Sequence, residues 1–289
     1  MRIGIAVKPK LVEARDTLAQ LTAWLRERKV DAVWTTEAAK LMDSGDRKVA
    51  EREALPAQVD IVLVLGGDGT LLSMAKAIAE SGKDVPILAV NFGSLGFLTE
   101  ITRPEIFPAL ETVLNNRATH DLRMMLRATA TRQAQPPLAH MALNDVVFTR
   151  TALSRMIELS VSVGDQFVTT VKADGLIVAT PTGSTAYNLA AGGPIVHPAM
   201  DALVLTPIAP HMLTNRPIVI PTEREVRVRS TSSNAGDEVY VTIDGQTGFG
   251  LQEGDEIAIA KSERPLRLIR STTRSYFEVL RQKLKWNER

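Results

Sequence analysis

Asp68 stands among glycines directly after an apolar run, in the order Ile61-Val62-Leu63-Val64-Leu65-Gly66-Gly67-Asp68-Gly69-Thr70. The run has no polar alternation and ends in turn residues, the pattern of a strand buried on both faces of a parallel sheet. Open sheets of that kind gather their chemistry at the carboxyl ends of the strands. Gly66, Gly67 and Gly69 allow the backbone to turn sharply and to approach a ligand, and Thr70 is placed to cap a helix expected over 70–81. The amides of such a loop suit phosphate. A carboxylate inside it works against phosphate affinity, so Asp68 is read as present for proton abstraction or for a phosphate-bound metal ion. The loop is neither of the two common nucleotide fingerprints. A G-x-G-x-x-G count from Gly67 puts Leu72 at the third glycine, and no G-x-x-x-x-G-K-[ST] occurs.

Two further stretches carry side chains suited to ligand work. Asn144-Asp145 interrupts a strand that is otherwise apolar (Met141-Ala142-Leu143, Val146-Val147-Phe148). Burying both unpaired would cost about 1–3 kcal/mol each, so either one faces solvent or they await a partner. From Lys172 the chain reads Lys-Ala-Asp-Gly-Leu-Ile-Val-Ala-Thr-Pro-Thr-Gly-Ser-Thr-Ala-Tyr-Asn-Leu-Ala-Ala-Gly-Gly-Pro, ending at Pro194. A strand over 176–179 runs into a loop and a short helix of small residues, against which a flat ring could lie. Thr180-Pro181-Thr182-Gly183 is also compatible with a plain turn, and Tyr187 with a core aromatic whose hydroxyl is satisfied.

The elements that must position these residues fall into two sets. Strands over 2–8, 32–35, 61–65 and 85–90 alternate with helices over 11–29 and 70–81, which predicts a parallel sheet with right-handed crossovers. The fourth strand runs into Asn91-Phe92-Gly93-Ser94-Leu95-Gly96-Phe97-Leu98, a second glycine loop at the same sheet edge as Asp68. A helix over about 104–115 follows. From Asp121 onward short strands come in quick succession (122–131, 140–149, 156–163, 166–172, 203–208, 217–220, 225–230, 238–243, 255–260, 266–270), the spacing of a β-sandwich. Ile243-Asp244-Gly245-Gln246 is a two-residue hairpin signal. Gln133 to Leu138 reads as an exposed hairpin loop, and 37–53 as a polar connection. The fold class is thus an N-terminal Rossmann-like parallel α/β domain, 1–120 with about 272–289 returning as a helix, and a β-rich domain over 121–271.

The pentapeptide Gly66-Gly67-Asp68-Gly69-Thr70 resembles the signature shared by NAD kinases, diacylglycerol-type lipid kinases and 6-phosphofructokinases. The choice among them comes from Asn91 to Leu98, from Asn144-Asp145 and above all from Asp174 to Tyr187, which resemble the N-x-G-x-L-G-F-L, N-[E/D] and D-G-x-x-x-[AS]-T-P-T-G-S-T-A-Y segments of NAD kinases. The resemblance covers about residues 61–246. It implies transfer of the γ-phosphoryl of ATP to the adenosine-ribose 2′-hydroxyl of NAD, with Asp68 as base and Gly66, Gly67, Gly69 and Thr70 on the triphosphate. It further implies that Asp68, Gly69, Asn144, Asp145, Arg155, Lys172, Asp174, Thr185, Ala186, Tyr187, Asn188, Leu189, Ala190, Ala209, His211 and Gln246 border the dinucleotide, some across a subunit boundary. Asp145 stands where many members carry Glu, which would shift the ribose slightly. A divalent ion, Mg²⁺, and a dimer or tetramer with shared sites are implied in the same way.

Composition narrows the rest. In 289 residues, 34 basic and 33 acidic side chains leave a net charge of +1, which gives no global case for nucleic acid or an anionic membrane as partner. There is no cysteine, hence no thiol catalysis, and His120, His140, His197 and His211 are too dispersed for a zinc motif. The apolar start, Met1 to Val7, is too short for a signal peptide and no run approaches a membrane span, so a cytoplasmic protein is expected. Two rivals stay open. A lipid kinase sharing the Asp68 loop would lack a dinucleotide pocket, and a nucleotide sensor would bind NADP without consuming ATP.

Overall fold

The structure is a computed structural model and describes residues 1–42, 45, 47–132, 136–151, 156–231, 239–271 and 273–286. In chain order its principal elements begin with β1 (Arg2–Val7), α1 (Arg15–Glu27), β2 (Asp31–Thr35), α2 (Thr36–Lys40), β3 (Lys48–Ala50), β4 (Ile61–Gly66) and α3 (Asp68–Ser81). Next come β5 (Ile87–Asn91), β6 (Ile101–Thr102), α4 (Ile106–Leu114) and β7 (His120–Arg123). The β-rich part runs through β8 (Leu126–Thr131), β9 (Leu138–Ala142), β10 (Asp145–Arg150), β11 (Ile157–Val163), β12 (Gln166–Ala173), β13 (Gly175–Ala179), α5 (Tyr187–Ala190) and β14 (Ala202–Ile208). It continues with β15 (Ile218–Pro221), β16 (Val226–Ser230), β17 (Val239–Ile243), β18 (Thr247–Leu251) and β19 (Glu256–Lys261), before β20 (Leu266–Ile269) and α6 (Tyr276–Leu284). Two compact units result, Met1–Leu122 with Leu266–Arg289, and Arg123–Pro265.

The first unit is built on a sheet in the order β3-β2-β1-β4-β5-β20-β7, with β6 beside β5. β4 lies at its centre and is buried at every position, as its unbroken apolar run requires. Ile61, Leu63 and Leu65 share one core with Leu18, Leu21 and Leu25 of α1 and with Ile106 and Leu110 of α4. α3 is held to β4 and β5 through Leu71, Met74, Ala75 and Ile78, all buried.

Three expectations fail here. The polar stretch 37–53 is not only a connection: Thr35 caps α2 by accepting the Ala38 amide at 3.3 Å, and β3 adds an edge strand, Trp34 opposite Val49. An edge strand that keeps charge on its outer face carries little apolar signal. Residues 266–270 do not continue the β domain either. β20 lies parallel to β5, Leu268 opposite Ile87, because a four-residue apolar strand fits either sheet and its partner is settled by packing. The strand expected over 122–131 likewise divides, β7 joining the first sheet and β8 the sandwich. Part of the Gln133 to Leu138 loop, Gln133 to Gln135, lies outside the described residues.

The second unit is a sandwich of two six-stranded antiparallel sheets, β15-β14-β13-β10-β17-β18 and β12-β11-β16-β19-β8-β9. Phe148, Leu176, Val178, Leu205 and Val241 from the first meet Leu126, Leu159, Val161, Val228 and Ile259 from the second in one core. β13 is buried on both faces, since Ile177 and Ala179 pack with Val147, Val196 and Val204 under the 191–196 segment. That cover is what places the Thr180 to Pro194 loop over the end of β13.

Candidate active site

The glycine loop joins β4 to α3, whose N-cap is Gly67. The helix starts at Asp68, two residues before the expected start, so Thr70 does not cap it. Its amide instead donates to the Gly67 carbonyl at 2.9 Å within the first turn. The chain turns from strand to helix within the glycines as expected, without any of the three adopting a positive φ. What the loop uses is space. A Cβ at Gly67 or Gly69 would meet nothing within 4 Å, leaving that face open, while one at Gly66 would lie 2.6 Å from Thr70 Oγ1.

Asp68 is half-buried and heavily engaged. Its Oδ2 accepts the Phe97 amide at 2.9 Å, and its Oδ1 accepts the amides of Leu98 at 3.3 Å and Thr99 at 3.0 Å together with the Thr99 hydroxyl at 2.9 Å. The carboxylate thus fastens the 93–99 loop to the glycine loop, which brings the two glycine-bearing stretches of the sequence together at one sheet edge. Charge-assisted bonds of this kind are stronger than neutral ones. Thr99 escaped the sequence reading, its only signal being a hydroxyl at the end of a glycine-bearing loop.

Asn144 and Asp145 open β10, and a second carboxylate holds them. Asp244 accepts the Leu143 amide at 2.8 Å, the Asn144 amide at 2.7 Å and the Asp145 amide at 3.0 Å. Asp244 and Gly245 both have positive φ, and the Gln246 amide returns to the Ile243 carbonyl at 2.9 Å, so the expected hairpin turn is formed. Its second task, gripping a segment 99 to 101 residues away in the chain, has no local signature. The Asp145 side chain is buried, and among the described residues no donor reaches its carboxylate. Burial, with the charge of Asp244 adding to it, pushes its pKa up to about 7.

The 180–190 loop is tied to the same place. The Thr180 amide donates to the Asn144 carbonyl at 2.8 Å and its hydroxyl to the Leu143 carbonyl at 2.6 Å. A Cβ on Gly183 would lie 2.0 Å from the Asn144 carbonyl oxygen, so this glycine makes room for the chain itself and not for a ligand. Tyr187 and Ala190 are exposed, and Thr185, Ala186 and Leu189 are half-buried. Asn188 is fully buried: Nδ2 donates to the Ser184 and Pro194 carbonyls, both at 3.0 Å, and Oδ1 accepts the Thr206 hydroxyl at 2.6 Å. Its side chain braces the loop from within. In this way Asn144, Asp145, residues 185–190 and Gln246 gather at one end of β10 and β13.

Lys172, Asp174, Ala209 and His211 gather at the other. Asp145 pairs with Ala179 and Thr149 with Gly175, so the two groups are separated by about 15 Å of strand. The Asp174 amide donates to the Ile208 carbonyl and the His211 amide to the Lys172 carbonyl, both at 3.0 Å. Ala209 is held at φ 46°, and a non-glycine residue there stores about 1–3 kcal/mol of strain. Arg150 Nε donates to Asp174 Oδ1 at 2.8 Å, and Lys172 pairs with Glu158 at 3.0 Å. Arg155 lies outside the described residues.

Residues 3–118 match the ATP-NAD kinase N-terminal domain and residues 143–271 the ATP-NAD kinase C-terminal domain. The chain belongs to the ATP-NAD kinase family. An NAD kinase of Geotalea daltonii is 47% identical over 270 residues, 93% of each chain, and one of Syntrophotalea carbinolica is 46% identical over 289 residues, 100% of this chain and 99% of the other. Among solved structures, yeast NADH kinase complexed with NADH is similar with a TM-score of 0.90 at 25% identity, over 100% of this chain and 89% of that one. An NAD kinase from Archaeoglobus fulgidus in complex with ATP gives 0.76 at 25% identity, over 98% and 99%.

The brace at Asn188 and the exposure of Tyr187 separate two kinds of contribution. Asn188→Ala would leave the buried Thr206 hydroxyl and two carbonyls short of partners, at about 1–3 kcal/mol each, so thermal unfolding should show a clear fall in Tm. Tyr187→Ala should leave Tm nearly unchanged and weaken dinucleotide binding measured by calorimetry.

Proposed function

We propose that this ATP-NAD kinase family member transfers the γ-phosphoryl group of ATP to the 2′-hydroxyl of the adenosine ribose of NAD. The hydroxyl oxygen forms a bond to the γ-phosphorus, the bond from that phosphorus to the β-bridging oxygen breaks, and ADP leaves with the bridging electron pair. Asp68 takes the hydroxyl proton and later releases it to water. The open faces at Gly67 and Gly69, with Gly66 and Thr70 behind them, receive the triphosphate at the start of α3, where the helix dipole favours negative charge. Phosphoryl transfer asks of a protein mainly positioning and charge neutralisation.

The observation that carries the dinucleotide half of this reading is the buried Asp145 carboxylate, which no donor among the described residues reaches. Ribose hydroxyls would supply the donors, beside Asn144, with Thr185, Ala186, Tyr187, Leu189 and Ala190 along the rings and Gln246 on the neighbouring turn. Among the described residues no group of three or more His, Asp or Glu side chains gathers closely enough to hold a metal ion. A divalent ion, Mg²⁺ in our reading, would therefore be carried by the phosphates, with Asp68 the nearest carboxylate to the loop, and it would supply charge neutralisation. Incubation with ATP, Mg²⁺ and NAD followed by an NADP-specific dehydrogenase assay tests the reading directly. NADP should form and stop forming when EDTA is added, and its absence would leave a nucleotide-binding protein without kinase activity.

The second cluster, Lys172, Asp174, Ala209 and His211, is too far from Asp145 along the strands to serve the same end of one chain's ligand. We assign it to the site of another subunit in a homo-oligomer, with Arg150 holding Asp174 for the purpose. Apolar side chains stand exposed beside it, Phe167 at 67% and Leu213 at 89%, around a 240 Å³ groove lined by Val168, Pro207 and Ile218. Asp145→Ala and Asp174→Ala should each be impaired alone, and subunits of the two co-assembled should regain activity, since some sites then carry both carboxylates. A single-chain mass by light scattering with full activity would refute the assignment.

Asp145 also sets a pH dependence. A folded-state pKa near 7 against 3.8 for the free side chain means that the ligand-free protein loses stability as pH rises from about 4 through 7. Hydroxyl donors need the ionised form, so binding must expel a proton below pH 7. The NAD Kd should fall about tenfold between pH 6 and pH 8 and level off above, and Asp145→Asn should flatten the curve in calorimetric titrations at both pH values.

A further inference from the structure

Two buried polar side chains stand behind Asp68. Thr99 is fully buried and Asn91, the last residue of β5, is 7% exposed. Asn91 Oδ1 accepts the Gly93 amide, and Nδ2 donates to the Ser94 carbonyl at 2.6 Å and to Thr99 Oγ1 at 3.0 Å. A backbone amide can only donate and a carbonyl can only accept, so these two partners fix which end of Asn91 is the nitrogen. Thr99 Oγ1 therefore accepts a hydrogen bond from Asn91 and donates its own single O–H to Asp68 Oδ1. Donation runs one way, from Asn91 through Thr99 to Asp68.

The consequence lies in how the two carboxylate oxygens differ. Oδ1 is met by the Thr99 hydroxyl, the Thr99 amide and, at 3.3 Å, the Leu98 amide, whereas among the described residues Oδ2 is met by the Phe97 amide alone. Each oxygen offers about two lone-pair sites; the two shorter contacts, from the Thr99 hydroxyl and the Thr99 amide, take those of Oδ1, and Oδ2 keeps one. The fit is tight. A Cβ on Gly96 would lie 2.1 Å from Asp68 Oδ1 and 2.3 Å from Thr99 Oγ1, so the carboxylate and hydroxyl occupy the space that any side chain at 96 would need.

We propose that Asn91 and Thr99 are positioning residues for phosphoryl transfer: by filling Oδ1 of Asp68 they leave Oδ2 as the atom that takes the proton from the ribose hydroxyl. This rests on the reading of Asp68 as the proton acceptor. A buried threonine in this place could also serve only to fill volume. The two roles make opposite demands on the side chain, since Ser keeps the hydroxyl and loses the methyl whereas Val keeps the volume and loses the hydroxyl.

The test is steady-state kinetics of Thr99→Ser, Thr99→Val, Thr99→Ala and Asp68→Asn, with Tm and circular dichroism for each. Thr99→Ser should keep kcat within about threefold of wild type, and Thr99→Val should lose about tenfold or more, the worth of a hydrogen bond to a charged group. The loss should fall on kcat, with KM for NAD and for ATP moving less than about threefold. The reverse order, Val near wild type and Ser impaired, or a loss carried mainly by KM, overturns the proposal. Should Val fail to fold, Ser and Ala differ by one hydroxyl in a similar volume, and equal kcat for those two overturns it as well. Asp68→Asn separates the two layers. Wild-type kcat in that variant removes Asp68 from the chemistry and the proposal with it, whereas a large loss there beside an intact Thr99→Val overturns the proposal alone.

Discussion

The Asp68 carboxylate binds three successive amides and a hydroxyl of a loop some thirty residues further along the chain. Those amides have no helix or ladder partner of their own, and a buried N–H left unpaired costs about 1–3 kcal/mol. The loop after β5 therefore folds back onto the glycine loop, and the start of α3 is presented beside it. Gly96 permits the closeness, because the space a side chain would need is filled by the carboxylate. A single charge thus organises the two glycine-bearing loops before any substrate arrives, which is the kind of preorganisation that phosphoryl transfer relies on.

The β-rich unit repeats the device with different means. Asp244 sits on a type I′ turn and accepts the amides of Leu143, Asn144 and Asp145, fixing the start of β10. Fixing it has an electrostatic cost, since Asp145 is buried there and the charge of Asp244 adds to that burial, so the Asp145 pKa rises to about 7. That arrangement is poor for stability at neutral pH, and in the function we propose it suits the recognition of hydroxyl donors. Asn188 contributes differently, as a fully satisfied internal brace whose three hydrogen bonds hold a loop of small residues in one shape.

Much of this was legible in the sequence. The unbroken run of β4, the glycine loop after it, the alternation of strands and helices and the shift to short strands after residue 121 all follow from local pattern, because burial on two faces and turn chemistry act over a few residues. The string from Asp174 to Tyr187 was legible for the same reason: strand, turn and short helix are contiguous, so the residues that border the loop are adjacent in the chain. Local pattern misjudged the start of α3, which begins at the carboxylate itself with Gly67 as its cap. It also misjudged β20, whose four residues carry no information about which sheet receives them.

By itself the sequence determined which residue types are present for chemistry and, through its motifs, the family whose chemistry they perform. Only the tertiary structure decided which of them meet. Asp145 and Asp174 belong to two segments that resemble the same family, yet antiparallel pairing of β10 and β13 sends them to opposite ends of the same sheet, because strand direction and register are set by partners far away in the chain. The same holds for the grip of Asp244 on residue 143 and for the filled and open oxygens of Asp68. A hydrogen bond is decided by distances of a few tenths of an ångström between segments that only the folded core brings together.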